Sequence, residues 1–578
     1  MQTKPSSPSP VAGEGDGLAR LAGQGAVVLA LAGTLAACGG GGGSSSPSPS
    51  PNGGGATPVP SPVPTLPPQL APSAQQAARF LAQASTGADT AQLTRVQAIG
   101  YAAWIDEQMA LPQSMSRCDW LASKSFDTAG NKNGMNGFDA CAWRKLIASP
   151  DTLRQRVTLA LSELLVVSIN GLSGGWRAFA AANYLDILEN NAFGNYRTLL
   201  QQVSTSAAMG EYLTFRGNVK YNAKTGAFPD ENYARELMQL FTIGLLQLNA
   251  DGTPRLVNGK TQETYTLDDI TGLARIFTGW DWDLSVGNGN TPDFQRRPMV
   301  QVAARHETGA STFLGATVPA GLDGAASLNA ALDIIFAHPN VAPFVSRQLI
   351  QRLVTSNPSP AYVQRIAAVF NNDGSGVKGN LRAVIRALLL DDEARNSATA
   401  AQTGFGKLRE PILRLTAWAR AFGATSPSDA WAIGDTSDPA TRLGQSPLRS
   451  SSVFNFFRPG YVPPNSAIAT AGLVAPEFQI TNESSVLGYI NYMQLAIGTG
   501  ISDIKGQYAS LLALVDNPAA LVAQANLLLA ANQLGANTVS LLQNTIAGMP
   551  TGTDATRNNR VYAAILLTMA APEYLVQK

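Results

Sequence analysis

Apolar residues recur at helical spacing through most of the chain after residue 74. The segment DTLRQRVTLALSELLVVS begins with Asp151, a residue type that caps helices, and the apolar positions after it share one helix face. Comparable spacing occurs in VAPFVSRQLIQRLV, NLRAVIRALLL, LREPILRLTAWARAF and NRVYAAILLTMAAPEYL. The pattern predicts a succession of packed amphipathic helices.

Two helices are marked by their capping residues. Asp230 precedes ENYARELMQLFTIG, in which an apolar stripe runs beside a polar strip that contains Asn232 and Glu236. Thr266 and Asp269 have the spacing of a capping box at the start of TLDDITGLARIF. We therefore expect one helix directly after Asp230 and another directly after Thr266.

Alternation of apolar and polar residues, the pattern of a half-buried strand, is scarce. The best hairpin candidate is LLQLNADGTPRLV. The sequence therefore predicts an all-α fold, with one large multi-helix domain over residues 74–578 and one or two short β-hairpins. We interpret the Gly-rich span 285–324 as a loop or a small lobe of that domain.

The surface is predicted to carry few charges. Charged residues make up 14 % of the 578 residues, against roughly a quarter in typical soluble domains. The 41 basic and 40 acidic side chains nearly cancel. Because there is no excess of Lys or Arg to neutralise phosphates, nucleic acid is not expected as a partner.

The N-terminal part has the pattern of an export signal. Residues 26–35, AVVLALAGTL, form an apolar run that fits the core of a signal peptide and is too short to span a bilayer. The run ends in LAACG, residues 35–39, which resembles the lipobox of bacterial lipoproteins. This resemblance implies a signal peptide over residues 1–37 and a lipidated Cys38 as the first residue of the mature protein.

Residues 38–73 are rich in Gly, Ser and Pro, a composition that buries little and predicts a disordered tether. Gly39 follows Cys38, where an Asp would resemble an inner-membrane retention signal. By analogy with sorted lipoproteins, we expect the protein in the envelope of a Gram-negative bacterium. Its lipid anchor is then expected in the outer rather than the inner membrane.

Two further cysteines, Cys118 and Cys141, would meet the oxidising compartment outside the cytoplasm. Neither belongs to a CxxC motif or lies at metal spacing from a His, so a zinc site or a reactive thiol is the weaker alternative. We expect the two residues to form a disulfide.

Several long blocks occur in order over most of residues 79–461, among them LRQRVTLALSELLVVS, PDENYARELMQLFTIGL, YTLDDITGLARIFTGWDW, HETGASTFLG, GKLREPILRLTAWARAF and SSVFNFFRPGY. With them, the chain resembles the domain of unknown function 1800 family. The resemblance implies an exported bacterial protein, often encoded beside a sulfatase-like family, domain of unknown function 1501, so an exported protein of that type is an expected partner. The chain departs from the family pattern at Ser206, where a His is usual, and at Ser311, where a Lys is usual.

Two carboxylates are candidates for acid–base chemistry. Glu236 lies at the edge of the apolar stripe of its helix, where burial could raise the pKa of its carboxyl group. If Asp268 on the next helix approached it, the pair could cleave a glycosidic bond, with Trp280 and Trp282 as platforms for sugar rings. The further candidate binding residues are Asn232, Arg235, His306 and Arg409.

A structural interpretation of the same residues is also open. Glu236 would then pair with an arginine between packed helices, such as Arg235, Arg347 or Arg409, and the tryptophans would fill the core. The chain has two histidines, His306 and His338, which excludes a His-rich metal site. Walker-type, GxSxG and dinucleotide-binding motifs do not occur, so we expect no metal and no cofactor.

Two classes of function follow. The favoured one is a noncatalytic, lipid-anchored scaffold that binds an exported protein or a surface polysaccharide, which agrees with the weakly charged surface and the predicted tether. The alternative is a metal-independent hydrolase of envelope polysaccharide that uses Glu236 and Asp268.

Overall fold

The structure, a computed structural model, describes residues 71–578 and is built mainly from helices. In the first half these are α1 (Ala74–Ala84), α2 (Thr90–Ala110), α3 (Arg117–Ser123), α4 (Phe138–Ala148), α5 (Thr152–Leu164), α6 (Arg177–Asn190), α7 (Tyr196–Thr205), α8 (Ala207–Tyr212), α9 (Asn232–Glu236), α10 (Leu267–Ile276) and α11 (Asp293–Arg296). Helix α9 continues directly into a π-helical turn, Leu237–Thr242.

The second half is likewise helical. It contains α12 (Gly324–Ala337), α13 (Val341–Leu353), α14 (Pro360–Asn371), α15 (Leu381–Leu390), α16 (Asp392–Arg395), α17 (Ser397–Ala400), α18 (Pro411–Ala421), α19 (Ala467–Thr470), α20 (Glu483–Gly498), α21 (Ala509–Leu512), α22 (Pro518–Ala530), α23 (Ala536–Ala547), α24 (Asp554–Ala570) and α25 (Pro572–Leu575). None of these described helices is both long and apolar enough to span a bilayer.

The strands of the described residues are short and form antiparallel pairs. They are β1 (Leu256–Val257) with β2 (Lys260–Thr261), β3 (Trp280–Asp281) with β4 (Val300–Gln301), β5 (Ser311–Phe313) with β6 (Ala316–Val318), and β7 (Lys407–Leu408) with β8 (Val576–Gln577). Helices account for 54 % of the described residues. The predicted all-α fold with a few small hairpins is therefore confirmed.

The predicted signal peptide of residues 1–37, the lipidation site Cys38 and nearly all of the predicted tether lie outside the described residues. The described chain enters α1 at Ala74, where the side chain of Ser73 accepts a hydrogen bond from the Gln76 amide. The described residues, 71–578, form one compact unit.

Of the predicted caps, the capping box of Thr266 and Asp269 is present at the start of α10. Asp230 accepts a hydrogen bond of 2.8 Å from the Asn232 amide, but it lies one residue before Glu231, the N-cap of α9, and that helix has no side-chain cap bond. Asp151 precedes α5 but its carboxylate makes no cap bond, because it pairs instead with Arg154 at 3.1 Å.

Helix α5 lies at the centre of the protein, and all of its residues are buried. It packs against α2, α4, α6 and α13. Its apolar residues fill this space as the periodicity predicts, but Arg156 and Glu163 are buried too. Since these two residues are seven positions apart, they project from the same face of the helix and bring ionisable groups into the core.

The expected disulfide is wrong. Cys118 in α3 and Cys141 in α4 are both free and buried. The Cys118 thiol donates to the carbonyl oxygen of Phe179, and the Cys141 thiol donates to that of Phe138. Each sulfur thus faces a backbone carbonyl in the packed interior, so the two behave as small core residues.

Residues 422–466, between α18 and α19, contain neither helix nor strand of the described structure. Ion pairs nevertheless hold this segment against the helices: Arg449 contacts Asp139 at 2.7 Å, and Asp429 contacts Lys124 at 3.0 Å. Irregular segments of this length are uncommon inside compact domains and usually serve a function.

Candidate functional site

Glu236, the last residue of α9, lies in the interior with 7 % of its surface exposed. Burial raises the pKa of its carboxyl group, and the charge of Arg235 offsets part of that rise. Its Oε2 atom is buried and has no hydrogen-bond partner. Burial, together with the negative charge of Glu236, also raises the pKa of Tyr212 to about 12. The shift at Glu236 runs in the direction expected from its sequence position.

The other residues predicted around Glu236 are arranged differently. Arg235 pairs with Glu231, with 3.4 Å between Nη2 and Oε2, and no arginine within the described part of the chain forms an ion pair with Glu236. Asn232 begins α9, and Asp268 lies in the exposed first turn of α10. No hydrogen bond of the described chain joins Asp268 to Glu236, so the structure does not bring the two together as an acid and a base.

The two tryptophans are packed rather than open. Trp280 in β3 is 5 % exposed. Trp282 is partly buried, with the Arg216 guanidinium 3.8 Å from the centre of its ring and the Phe294 ring at 4.8 Å. The indole Nε1 atoms of both tryptophans are buried without a hydrogen-bond partner. These contacts fit the core-filling interpretation better than that of sugar platforms.

His306 and Arg409 are also interior residues. The His306 ring lies with Nδ1 3.0 Å from the Thr278 carbonyl oxygen and Nε2 3.3 Å from the Ser327 hydroxyl. The Arg409 guanidinium lies 4.6 Å from the centre of the Tyr574 ring. Among the described residues, no group of three or more His, Cys, Asp or Glu side chains is placed to hold a metal ion.

The most charged part of the interior was missed by the sequence analysis. Six ionisable side chains, each at most 6 % exposed, meet where α5, α13, β7 and the start of α18 come together. We call this set the buried charge cluster: Arg156, Glu163, Arg352, Lys407, Glu410 and Glu477.

Lys407 is the centre of the buried charge cluster. Its Nζ atom lies 2.9 Å from Glu410 Oε1 and 3.1 Å from Glu477 Oε1. It also donates to the Arg352 carbonyl oxygen at 2.8 Å. The ammonium group therefore has three acceptors, which is the full hydrogen-bonding capacity of a lysine.

Glu163 and Glu410 form a carboxyl pair within the cluster. Burial and the charge of Glu410 raise the pKa of Glu163 well above its ordinary value. Burial acts on Glu410 in the same direction, but the charges of Lys407 and Arg156 outweigh it and lower the pKa of Glu410. The two shifts run in opposite directions, which favours a protonated Glu163 beside an ionised Glu410.

A cavity of about 10 Å³ lies beside Glu163. Its polar lining includes Ser446 and Asn455, whose Oγ and Nδ2 atoms have no hydrogen-bond partner. The volume fits one water molecule, and the polar lining supplies the partners that such a water needs. Both residues belong to the irregular segment 422–466, so this segment encloses the carboxyl pair and leaves no room for a substrate beside it.

An open groove lies elsewhere along the same segment. We call it the leucine groove; it has a volume of 760 Å³, with residues 245–248 on one wall and residues 454–462 on the other. Leu245 is 57 % exposed, Leu246 36 % and Val462 39 %. The groove thus leaves several large apolar side chains in contact with water.

A glycine turn directs these leucines outward. Gly244 follows the π-helical turn and has φ +70°, a conformation that other residues rarely adopt. A Cβ atom at this position would also lie 2.9 Å from the Phe344 ring. The chain therefore needs glycine here to reverse direction and place Leu245 on the surface.

Asn340 holds the exposed wall in place. Its Nδ2 donates to the carbonyl oxygens of Ile243 at 2.8 Å and Leu246 at 2.7 Å, and its Oδ1 accepts from the Leu248 amide at 2.9 Å. The side chain makes no cap bond to α13, although Asn340 immediately precedes that helix. The wall of the groove is therefore preorganised by a buried amide.

The opposite wall carries a positive charge. The Arg458 guanidinium lies 4.5 Å from the centre of the Phe454 ring and is exposed. Within residues 71–578 this guanidinium forms no ion pair, whereas the Arg458 backbone amide donates to Gln479 Oε1 at 2.8 Å. The leucine groove thus combines apolar side chains with one unneutralised cation.

The two positions that depart from the family pattern have local structural roles. Ser206 caps α8, since its Oγ accepts a hydrogen bond of 3.3 Å from the Met209 amide. Ser311 in β5 donates from its hydroxyl to the Gly272 carbonyl oxygen of α10. Both serines are buried and bonded to the backbone.

These features define an all-α protein with a charged interior and an open apolar groove. The chain belongs to the family described as "Protein of unknown function (DUF1800)", whose model matches residues 79–576. No curated protein and no solved structure matches the chain. The family resemblance of the sequence blocks is confirmed.

Proposed function

We propose that the protein is a noncatalytic binding protein of the cell envelope, anchored by lipid at Cys38, which binds an exported protein in the leucine groove. The lipobox-like sequence at residues 35–39 supports the anchor. The low share of charged residues argues against the binding of nucleic acid or of other highly charged polymers.

The observation that carries the proposal is the fixed exposure of Leu245 and Leu246. Exposed apolar side chains that cluster in a groove mark binding sites, because covering them is favourable by roughly 25 cal/mol per Å². Asn340 already holds this wall in one conformation, so little ordering entropy is lost when a partner binds. The leucines therefore form a prepared surface.

The unpaired charge of Arg458 indicates the chemistry of the partner. A cation beside apolar side chains favours a segment that has large apolar residues and a carboxylate. An exported protein of the sulfatase-like unknown-function 1501 type is the first candidate to carry such a segment. A polysaccharide fits the site less well, since its hydroxyl groups would lose water against leucine side chains.

A hydrolase would need two carboxyl groups beside one accessible bond. Asp268 is exposed while Glu236 is buried, and the Glu163–Glu410 pair borders a cavity of only about 10 Å³. The groove, by contrast, is open and apolar. Binding is the function that this arrangement favours.

Photo-crosslinking in cells tests the groove. A benzoylphenylalanine at position 246 is expected to capture an exported protein, whereas the same residue at position 541, where Leu541 is 65 % exposed on α23, should not. Arg458→Glu should abolish the crosslink from position 246. Equal capture from both positions, or none from position 246, would overturn the proposal.

The lipid anchor is tested separately. Labelled palmitate should enter the protein, and mass spectrometry should find the lipid on the peptide that begins with Cys38. When the first 38 residues are replaced by an ordinary cleavable signal peptide, the protein should appear in the soluble periplasmic fraction. Continued sedimentation with membranes after a salt wash would contradict the anchor.

A further inference from the structure

A hairpin before α9 projects two aromatic side chains into solvent. Residues 219–228, ten in succession, are all exposed. Among them Val219 is 43 % exposed, Tyr221 46 % and Phe228 72 %. The rings of Tyr221 and Phe228 pack on each other with 4.9 Å between their centres. We call residues 219–228 the aromatic hairpin.

The aromatic hairpin is ordered by its own hydrogen bonds. At its tip the Asn222 amide donates to the Ala227 carbonyl oxygen at 3.0 Å, and the Gly226 amide donates to that of Asn222 at 2.8 Å. At its base Asn218 Oδ1 accepts from the Asp230 amide at 3.0 Å. The two packed rings are therefore held on an ordered hairpin.

The charges of the aromatic hairpin have one sign. Lys220 and Lys224 are exposed, and neither forms an ion pair anywhere in residues 71–578. The sequence from 217 to 229, GNVKYNAKTGAFP, contains no Asp or Glu. Its outer surface thus combines aromatic rings with two uncompensated positive charges.

We propose that the aromatic hairpin is a membrane contact that binds the surface of a bilayer containing anionic lipids. Aromatic rings with a polar edge or a neighbouring polar group prefer the boundary between headgroups and acyl chains. Lysines next to such rings pair with lipid phosphates. This inference rests on the membrane location proposed above, because a tethered hairpin stays near the bilayer and a weak contact then suffices.

A second observation separates this surface from the leucine groove. The groove has one cation and an apolar wall that encloses a volume, which fits a peptide segment, whereas the hairpin is exposed at all ten of its residues and carries two lysines. An exposed hairpin with few apolar side chains offers a protein partner little area to bury, but it fits the interfacial region of a bilayer. The lipid surface is therefore the occupant that the chemistry favours.

Vesicle flotation tests the inference with the chain from Gly39 onward, which contains the whole compact unit of described residues, 71–578. The protein should float with vesicles of phosphatidylethanolamine and phosphatidylglycerol and much less with phosphatidylcholine alone. Lys220→Gln with Lys224→Gln should weaken binding roughly thirtyfold at low salt. Tyr221→Ser with Phe228→Ser should weaken it at least tenfold. All four side chains are exposed, so the melting temperature should not change.

Leu541→Ser, which removes an equally exposed apolar side chain outside the hairpin, is the matched control and should bind vesicles like the wild type. Phe228→Trp should show a blue-shifted emission only with anionic vesicles. Absence of wild-type binding, equal binding by the hairpin variants, or capture of a purified envelope protein through the hairpin without vesicle binding would overturn the inference. The groove crosslink from position 246 does not depend on the hairpin, so failure of one proposal is distinguishable from failure of the other.

Discussion

The side-chain amide of Asn340 donates a hydrogen bond of 2.7 Å to the carbonyl oxygen of Leu246. This bond joins the residue just before α13 to the exposed wall of the leucine groove. Asn340 is 2 % exposed, so its amide is held in the interior while Leu246, 36 % exposed, lies at the surface. One buried side chain therefore controls the shape of a surface.

Asn340→Ala should loosen the groove and lower stability. The substitution leaves the Ile243 and Leu246 carbonyl oxygens without their donor, which should reduce the free energy of unfolding by about 3 kcal/mol. Denaturant titration measures the loss, and the crosslink from position 246 should weaken in parallel. The control is Ser346→Ala, which removes a buried hydroxyl on α13 that has no hydrogen-bond partner. It should change the free energy of unfolding and the crosslink only slightly.

Glu163→Gln should change how stability depends on pH. The pKa of Glu163 is raised in the folded state, chiefly by burial, so its contribution is fully present below the unfolded pKa of about 4.3. As pH rises through and above that value, the unfolded state ionises first and stability falls, by up to about 1.4 kcal/mol per pH unit. The glutamine has nearly the same shape but cannot ionise, so the variant should lack this decline.

Urea titrations of wild type and Glu163→Gln from pH 4 to pH 9 measure the difference. Glu477 and Glu236 also have raised pKa values, and their titration lowers stability with rising pH in both proteins. The difference between the two curves therefore isolates Glu163. Glu163→Ala, which leaves a cavity where a buried side chain was packed, should be destabilised at every pH. Parallel curves for wild type and Glu163→Gln would contradict the assigned proton.

Glu410→Gln should be strongly destabilising. It leaves the buried Lys407 ammonium with one carboxylate partner instead of two, and breaking a buried ion pair costs about 3–5 kcal/mol. The same change at the exposed Glu263 should stay within about 0.5 kcal/mol. A melting temperature close to wild type for Glu410→Gln would show that the cluster is not held together by charge.

Glu236→Gln should leave the stability of the protein unchanged or raise it slightly. Glu236 has a raised pKa and no ion pair among the described residues, so the neutral side chain loses no partner and avoids the cost of burying a charge. Melting curves at pH 7 measure this. If release of reducing sugars from purified peptidoglycan occurs with the wild type and disappears in this variant, the hydrolase becomes the better interpretation.

The cysteines should react only after unfolding. Burial raises the pKa of both the Cys118 and the Cys141 thiols, and the thiolate is the reactive form. Iodoacetamide should therefore modify neither residue in the native protein and both in urea without a reductant. Detection of a peptide that joins the two residues would contradict the free thiols.

The helices were predictable because their signals are local. The spacing of Thr266 and Asp269 alone predicts the start of α10. The apolar periodicity of α5 predicts which of its faces packs in the core. The buried charge cluster could not be found in this way, since Lys407 and Glu477 are far apart in sequence and meet only after the chain folds. A clue was available at Glu163, a lone carboxylate in the apolar run LALSELLVV, where burial on all sides demands a partner.

The groove escaped prediction for a related reason. Asn340 immediately precedes α13, the usual position of a helix cap. Its side-chain amide instead donates to the carbonyl oxygen of Ile243, which lies nearly a hundred residues earlier in the chain. Likewise, Glu236 and Asp268 lie on successive helices, yet helix order does not determine which side chains face one another. Local sequence predicts elements, whereas the partner of a polar side chain depends on packing.

The pairing of β7 with β8 affects the order in which the protein can fold. Lys407 in β7 is held by the register with Gln577, whose side chain also donates to the Leu353 carbonyl oxygen at 2.8 Å. A chain that emerges from a ribosome or a translocation channel N-terminus first releases residue 577 long after residue 407. Until then the ionised groups of the interior lack their final enclosure, so the native core closes only once nearly all of the described chain is available.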